Sequence, residues 1–330
     1  MQNAKRLFLL GLTFSSVTVL FWGMLPIALK LTTGFSDAVT LTWTRFLFAA
    51  IVVFMFQWKF KKLHEFKQLT RSDWLRLIAA GTLLITNYTT FVVSLDYMHP
   101  GAAQLSFQLA PLFLALGGFF LLKEKIHWQQ WGCFAVIFIG MAIFFHPILE
   151  QSFGANSVDF GSMGIGFLIV QVSSMAWASY ALLQKSLFSK LSSSNILLAI
   201  YVYASIVMLP FSTPSKLLTL SGTDALVVIF CCVNTLIAYG AFSQAMRYWQ
   251  TVQVSAAIAL TPITAFILTE VCVSIGLWSD LIYSANADLF SLFGIGVVVF
   301  SAISVQFITA NLANKASKKN ALNKTELSTS

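Results

Sequence analysis

Ten stretches of continuously apolar residues follow one another along this chain, and they leave little freedom in what it can fold into. A helix crossing a hydrocarbon core of ~30 Å needs about 20 mostly apolar residues. The stretches span approximately 7–31, 38–58, 74–95, 101–122, 128–146, 161–183, 195–213, 224–245, 252–275 and 289–311. Short breaks with turn chemistry separate them, such as Thr33-Gly34-Phe35-Ser36-Asp37, His99-Pro100-Gly101 and Ser212-Thr213-Pro214-Ser215. Strands of a membrane barrel would alternate polar and apolar residues over roughly ten positions. These runs do not alternate, so the expectation is an all-α integral membrane protein with ten transmembrane helices.

Composition agrees. Of the 330 residues, 58% are hydrophobic and 10% charged, whereas a soluble domain carries about 25% charged residues. Lys5 and Arg6 precede the first stretch, but no small-x-small cleavage pattern follows it, so it is expected to be a first span and not a removed signal. The four cysteines (Cys133, Cys231, Cys232, Cys272) lie within apolar runs at no metal-ligand spacing and read as small buried hydrophobes. The four histidines (His64, His99, His127, His146) form no cluster, and no Ser-His-Asp or paired-acid arrangement can be assembled. No catalytic residue, metal or cofactor is expected, and a membrane-embedded enzyme or a receptor without transport activity stands as the alternative.

The basic residues set an orientation. With the N-terminus in the cytoplasm, all 20 Lys and Arg fall on the inner side except Lys30, Lys216 and Arg45. Positive charge is retained inside during insertion, and a miscounted span would swap every later loop. The formal charge of +8 is therefore expected to face the anionic lipids of the cytoplasmic leaflet, through the loop from Lys59 to Arg76 and the tail from Lys315 to Lys324. Nucleic acid is not an expected partner. The expected location is a bacterial inner membrane, with both termini cytoplasmic, and a homodimer is compatible with the chain.

The two halves resemble each other. At one common offset Tyr88 meets Tyr239, Phe91 meets Phe242, Tyr97 meets Tyr248, Leu109 meets Leu260 and Pro111 meets Pro262. At a second offset Trp22 meets Trp177 and Lys30 meets Lys185. Five spans per half is an odd number, so the second copy enters the membrane from the opposite side, as in transporters built from inverted repeats. The expected organisation is a first five-helix repeat over 1–146, an external linker over 147–160, a second repeat over 161–311 and a basic cytoplasmic tail over 312–330.

Several ordered pieces resemble the drug/metabolite transporter superfamily, specifically the EamA-type ten-helix transporters. They are Phe21-Trp22-Gly23 with Pro26 and Lys30, Thr44-Arg45-Phe46, Gln108-Leu109-Ala110-Pro111 leading to Lys123-Glu124-Lys125, and Met175-Ala176-Trp177-Ala178-Ser179-Tyr180. The most specific is Ala245-Met246-Arg247-Tyr248-Trp249, followed by Val254-Ser255-Ala256-Ala257 and Leu260-Thr261-Pro262. The second half departs from the pattern: it has no acid at the spacing of Glu124 and carries Glu270 within a span. The resemblance implies a ten-helix fold, inverted repeats and a central cavity for a small metabolite.

Residues within spans supply the site candidates. Glu270 lies in an apolar run where a carboxylate is costly unless paired or protonated, which suits a proton-coupling group. Arg45 is expected at a similar depth and reads as a gate, a substrate contact, a structural staple to Glu270 or a side chain snorkelling to the interface. Lys30 reads as an interface anchor or as the receiver of an anionic substrate group. Trp22, Trp177, Tyr88 and Tyr239, together with Trp43 and Tyr180, are expected to wall the cavity. Asn87 and Gln108 lead the intramembrane amides, which also include Gln104, Gln171, Asn234 and Gln244. Pro26, Pro111, Pro210 and Pro262 fall within spans, where proline bends a helix and frees a carbonyl. The function implied is secondary active or facilitative transport, in the export direction, of small organic metabolites such as amino acids by alternating access, with protons as a candidate coupling ion.

Overall fold

The computed structural model of the chain describes residues 2–32, 34–94, 96–97, 103, 106–147, 160–282 and 288–329, the side chains of 2–4, 160–163 and 313–329 excepted. Most of the expected external linker, the His99–Gly101 break and Gln104 lie outside the described residues. Among the described residues there is no strand. The α-helices defined among the described residues are α1 (Gln2–Thr32), α2 (Ala38–Lys59), α3 (Arg71–Ser94), α4 (Ala110–Phe120), α5 (Trp128–Phe144), α6 (Phe160–Ser186), α7 (Ser193–Met208), α8 (Gly222–Tyr248), α9 (Thr251–Ile258), α10 (Thr261–Ser274) and α11 (Leu289–Thr329). Among the described residues, eight candidate spans are long and apolar enough to cross a membrane, α9 and α10 forming one of them, while α4 and α5 are shorter apolar helices.

Local sequence starts these helices where a donor would otherwise go unpaired. Asp37 caps α2 by accepting from the Thr40 amide at 2.8 Å. Thr70 and Asp73 exchange bonds across the first turn of α3, at 2.9 and 3.4 Å. His127 begins α5, and its amide donates to Gln130 Oε1 at 2.7 Å. Such caps satisfy orphan N–H groups that neither lipid nor a buried loop could hydrate.

Pro111 and Pro262 act differently from the interior bends expected of them. Each sits in the first turn of a helix, α4 or α10, just after a turn at residues 108–109 or 259–260. A proline lacks the N–H that an interior position must donate, and at a helix start that loss costs nothing. Pro26 lies inside α1, and Pro210 ends α7 in a short 3-10 turn.

Large apolar side chains face outward along the helices, and polar groups are among those buried between them. Phe56, Phe120, Leu168, Ile206, Phe293 and Phe300 are exposed, whereas Arg45, Asn87, Asn195, Asn234 and Thr235 are buried. That inversion is what lipid as solvent selects. The most extensive packing joins α3 to α6, α1 to α8, α5 to α11 and α2 to α7, followed by α1 to α10, α4 to α6, α2 to α8, α3 to α7 and α4 to α9. Every one of these pairs takes one member from before residue 147 and the other from after residue 160. Close approach at the α5–α11 crossing needs glycine. A Cβ at Gly294 would meet the Phe144 amide nitrogen at 2.6 Å and the Gly140 carbonyl at 2.7 Å, both backbone atoms that cannot swing aside.

Polar side chains tie the same pairs at both ends. Along α2 and α7, Trp43 Nε1 donates to the Ser205 carbonyl at 3.0 Å and Gln57 Nε2 to Asn195 Oδ1 at 2.8 Å. Lys216 pairs with Asp37 at 3.0 Å at one end. At the other end Lys190 pairs with Asp73 at 2.6 Å, and Lys185 with Glu124 at 2.8 Å. There too Glu65, in a 3-10 turn over Lys62–Gln68, accepts from the Ser192 amide at 2.7 Å and from Asn195 Nδ2 at 2.8 Å. Partial burial pushes the Glu65 carboxyl up, but the bonds from Ser192 and Asn195 prevail and hold it below its usual value.

Gly294→Val should force α5 and α11 apart and destabilise the detergent-solubilised protein by about 1–3 kcal/mol. Gly296→Ala, where an added Cβ meets nothing within 4 Å, should leave the melting temperature unchanged. For Glu65 the folded value lies below the unfolded one, so its stabilisation is complete above about pH 4.3 and is lost as the pH falls through the folded value. Thermal melts should therefore show a smaller loss of stability on acidification in Glu65→Gln than in the unmodified protein.

Candidate functional site

The deepest part of the bundle is a continuous set of aromatic rings around one arginine. Helix α2 contributes Arg45 and Phe46, α3 contributes Tyr88, and α1 contributes Trp22. Helix α6 contributes Trp177 and Tyr180, α7 contributes Tyr201, and α8 contributes Thr235, Tyr239 and Phe242. Spacings of three and four place Trp177 with Tyr180, and Thr235 with Tyr239 and Phe242, on single helix faces. Tyr180, Tyr201, Phe46 and Phe242 are each 0% exposed and Arg45 is 2% exposed.

Two hydrogen bonds organise the cluster. The hydroxyls of Tyr88 and Tyr239 share one at 2.7 Å, joining α3 to α8. Arg45 Nε donates at 2.6 Å to Thr235 Oγ1, which donates its own hydrogen to the Cys231 carbonyl at 2.9 Å. The guanidinium also lies over the Tyr88 ring, 5.7 Å from its centroid, in cation–π geometry. From Tyr88 the rings continue edge-on to Phe46 at 5.4 Å and then stacked to Tyr201 at 5.7 Å. From Tyr239 they continue edge-on to Trp22 at 5.4 Å, and Trp22 meets Trp177 at 5.9 Å. Phe242 lies 5.3 Å from both tryptophans.

The structure thus brings together six of the residues singled out from sequence: Arg45, Trp22, Trp177, Tyr88, Tyr180 and Tyr239. Burial excludes snorkelling for Arg45, and its contacts are Thr235 and Tyr88. Asn87 is buried beside the cluster, where Nδ2 donates to Ser173 Oγ at 2.9 Å and the Ser173 hydroxyl returns a bond to the Asn87 carbonyl at 2.8 Å. Gln108 is buried in the turn before α4. Glu270 is partly exposed on α10, which packs chiefly on α1, and Lys30 is exposed near the end of α1. Trp43, offered as a cavity wall, is spent on its bond to Ser205, while Trp58 and Trp128 are exposed on the outside.

Sequence reasoning missed Tyr201, Thr235, Phe46 and Phe242 as members of the site. Phe46 follows Arg45 in a motif already visible, and Phe242 is the repeat partner of Phe91, so both had a signal. Tyr201 had one as well: at the offset that pairs Trp22 with Trp177 it falls opposite Phe46, the ring it stacks on. Also missed was a second junction. Glu124 Oε1 pairs with Lys185, while its Oε2 accepts from the Thr251 amide at 2.8 Å and the Thr251 hydroxyl at 2.6 Å. Lys185 donates in turn to the Trp249 carbonyl at 2.7 Å. One carboxylate thereby fastens the ends of α6 and α8 and the start of α9 to the segment that follows α4.

Two clefts lie away from the rings. One of about 300 Å³ is lined by Lys5, Arg6, Leu9, Leu10 and Thr13. The other, of about 250 Å³, opens between α1, α9, α10 and α11 and includes Ser15, Val19, Trp249, Thr264 and Gln306. Neither touches Arg45, and the convergence of buried polar groups favours the ring cluster as the site.

Removing either hydroxyl of the central pair leaves the other buried without a partner, at a cost of about 1–3 kcal/mol. Tyr88→Phe and Tyr239→Phe should each lower stability by that amount. The double variant should lose less than the sum, with a coupling on the order of 1 kcal/mol, as read from a cycle of denaturation curves in detergent.

The chain matches the EamA-like transporter family twice, over residues 9–146 and 164–307. It is 32% identical over 295 residues to the uncharacterized inner membrane transporter YhbE of Escherichia coli strain K12, covering 89% of this chain and 90% of that one. An uncharacterized transporter of Haemophilus influenzae is 31% identical over 265 residues, 80% of this chain and 84% of the relative. A solved crystal structure superposes with a TM-score of 0.69 at 16% identity, covering 92% of this chain and 98% of the other, which speaks for the fold alone. On the double match and the similarity over most of both relatives, the chain belongs to the EamA-like transporter family.

Proposed function

We propose that the chain moves small organic metabolites such as amino acids across the inner membrane, outward, by alternating access between two five-helix halves of opposite orientation. The observation that carries this reading is the pattern of helix pairing. Let α1, α2, α3, α4 and α5 correspond to α6, α7, α8, the α9–α10 pair and α11. Exchanging the halves then turns the α1–α8 pair into α6–α3, the α1–α10 pair into α6–α4 and the α2–α8 pair into α7–α3, all of which are major contacts. The α2–α7, α4–α9 and α5–α11 pairs map onto themselves.

The two central contacts obey the same exchange. Tyr88 bonds to Tyr239, its own repeat partner 151 residues on, and Trp22 packs on Trp177. A pseudo-twofold axis through the ring cluster explains why these partners meet each other. With ten spans, five to a half, such an axis lies in the membrane plane, so a site on it can face either side as the halves rock. The basic loops and tail support cytoplasmic placement of both termini. Protons are the proposed coupling ion, with Glu270 as the group that binds and releases them.

Purified protein in proteoliposomes should accumulate or exchange at least one labelled amino acid from a panel, with flux responding to an imposed pH gradient. Glu270→Gln should abolish the pH-driven part and leave exchange partly intact. Unchanged pH-driven flux in that variant removes Glu270 from coupling, and no flux of any metabolite class in folded protein overturns the transport reading.

A further inference from the structure

The surroundings of Arg45 bear on what the transported molecule carries, and the inference drawn from them rests on the transport reading above. A guanidinium has five N–H donors in a planar fork and is always charged. Here Nε is used by Thr235, the face lies over Tyr88, and Nη2 is buried without an acceptor. Ion pairs among the described residues include Arg76 and Lys190 with Asp73, His146 with Asp288, Lys185 with Glu124, and Lys216 with Asp37, and Arg45 is in none of these. Thr235 accepts the Nε bond but brings no negative charge. Tyr201, within electrostatic reach of the guanidinium, buries a hydroxyl that has no partner, and so does Tyr180, whose ring lies 6.3 Å from that of Tyr239. A structural arginine in a bundle is normally neutralised by an acid or several carbonyls. This one combines a net positive charge with surplus donors and a shortage of acceptors.

We propose that the group completing this site is an anion of the transported molecule, a carboxylate received by Arg45 with the Tyr201 hydroxyl as a further donor. Fork-shaped donors match a carboxylate in two parallel bonds. Charge balance favours a monoanion. A single guanidinium neutralises one carboxylate, whereas a phosphate dianion would bring a surplus negative charge into the same apolar box. The remainder of the molecule lies against Trp22, Trp177 and Phe242, whose faces accept apolar or cationic groups. Entry requires the Tyr88–Tyr239 bond to open, and this couples occupancy of the site to separation of α3 from α8.

The test uses full-length protein in detergent with 3-phenylpropionate and its neutral isostere 3-phenylpropionamide, read by calorimetry and by tryptophan fluorescence. The acid should bind at least tenfold more tightly than the amide. Arg45→Met should abolish that preference and, without ligand, melt at or above the temperature of the unmodified protein, because it removes an uncompensated charge. Tyr201→Phe should weaken the acid several-fold and leave the amide unchanged. Equal binding of acid and amide, no binding of either, or a preference surviving in Arg45→Met overturns the assignment. So does a lowered melting temperature or failure to fold of unliganded Arg45→Met, since either marks the residue as a structural staple. Flux of neutral or cationic solutes that survives Arg45→Met would remove the carboxylate class and leave transport standing. Carboxylate binding without flux of any solute would do the reverse.

Discussion

Helices in lipid gain no hydrophobic energy by meeting each other, so close packing and polar bonds must hold them together. In this chain those contacts run between the two halves. The major helix pairs cross from the first half to the second, and so do the bonds that join Trp43 to Ser205, Asn87 to Ser173, Tyr88 to Tyr239, and Asn234 Nδ2 to the Phe21 carbonyl. The first half therefore has no core of its own. The site at the centre is a by-product of the same arrangement, because its rings come from helices of both halves.

Two kinds of polar contact can be separated on this frame. The bonds along α2 and α7, from Asp37–Lys216 at one end to Gln57–Asn195 at the other, fasten that pair over its whole length. It is suited to act as a fulcrum. Glu124 instead gathers Lys185 and Thr251 at a single end, beside the short α9. On the transport reading proposed above, a cluster confined to one end would release while α2 and α7 stay joined. The turns before Pro111 and Pro262 interrupt the helical hydrogen-bond ladder on both sides of this junction, and a broken helix moves by segments.

Much of the architecture was legible in the sequence, since hydropathy reports the solvent of each helix directly. The offset pairing Tyr88 with Tyr239 and Trp22 with Trp177 anticipated which residues would meet at the centre. Less legible was how α4 and α10 begin. Proline was expected to bend a helix at Pro111 and Pro262, but hydropathy cannot distinguish a bend from a fresh start when apolar residues lie on both sides. Arg45 was expected beside Glu270 because both carry charge at similar depth. Depth along the normal says nothing about rotation around the bundle, and it was packing that put Thr235 and Tyr88 against the guanidinium. Tyr201 left only its match to Phe46 at the second offset, because its role depends on which face of α7 turns inward.

The bond between Arg45 and Thr235 also orders events in time. The two residues are 190 positions apart, and a ribosome adding about 5–20 residues each second needs roughly 10–40 s to make the second after the first. Throughout that interval α2 carries a charged side chain while the helix that shields it has not yet been synthesised. The growing chain must hold Arg45 near the headgroups or beside the insertion machinery until α8 arrives, and a truncated first half would never be relieved of it. Arg45 is thus an arginine that becomes hidden only when the second half has docked.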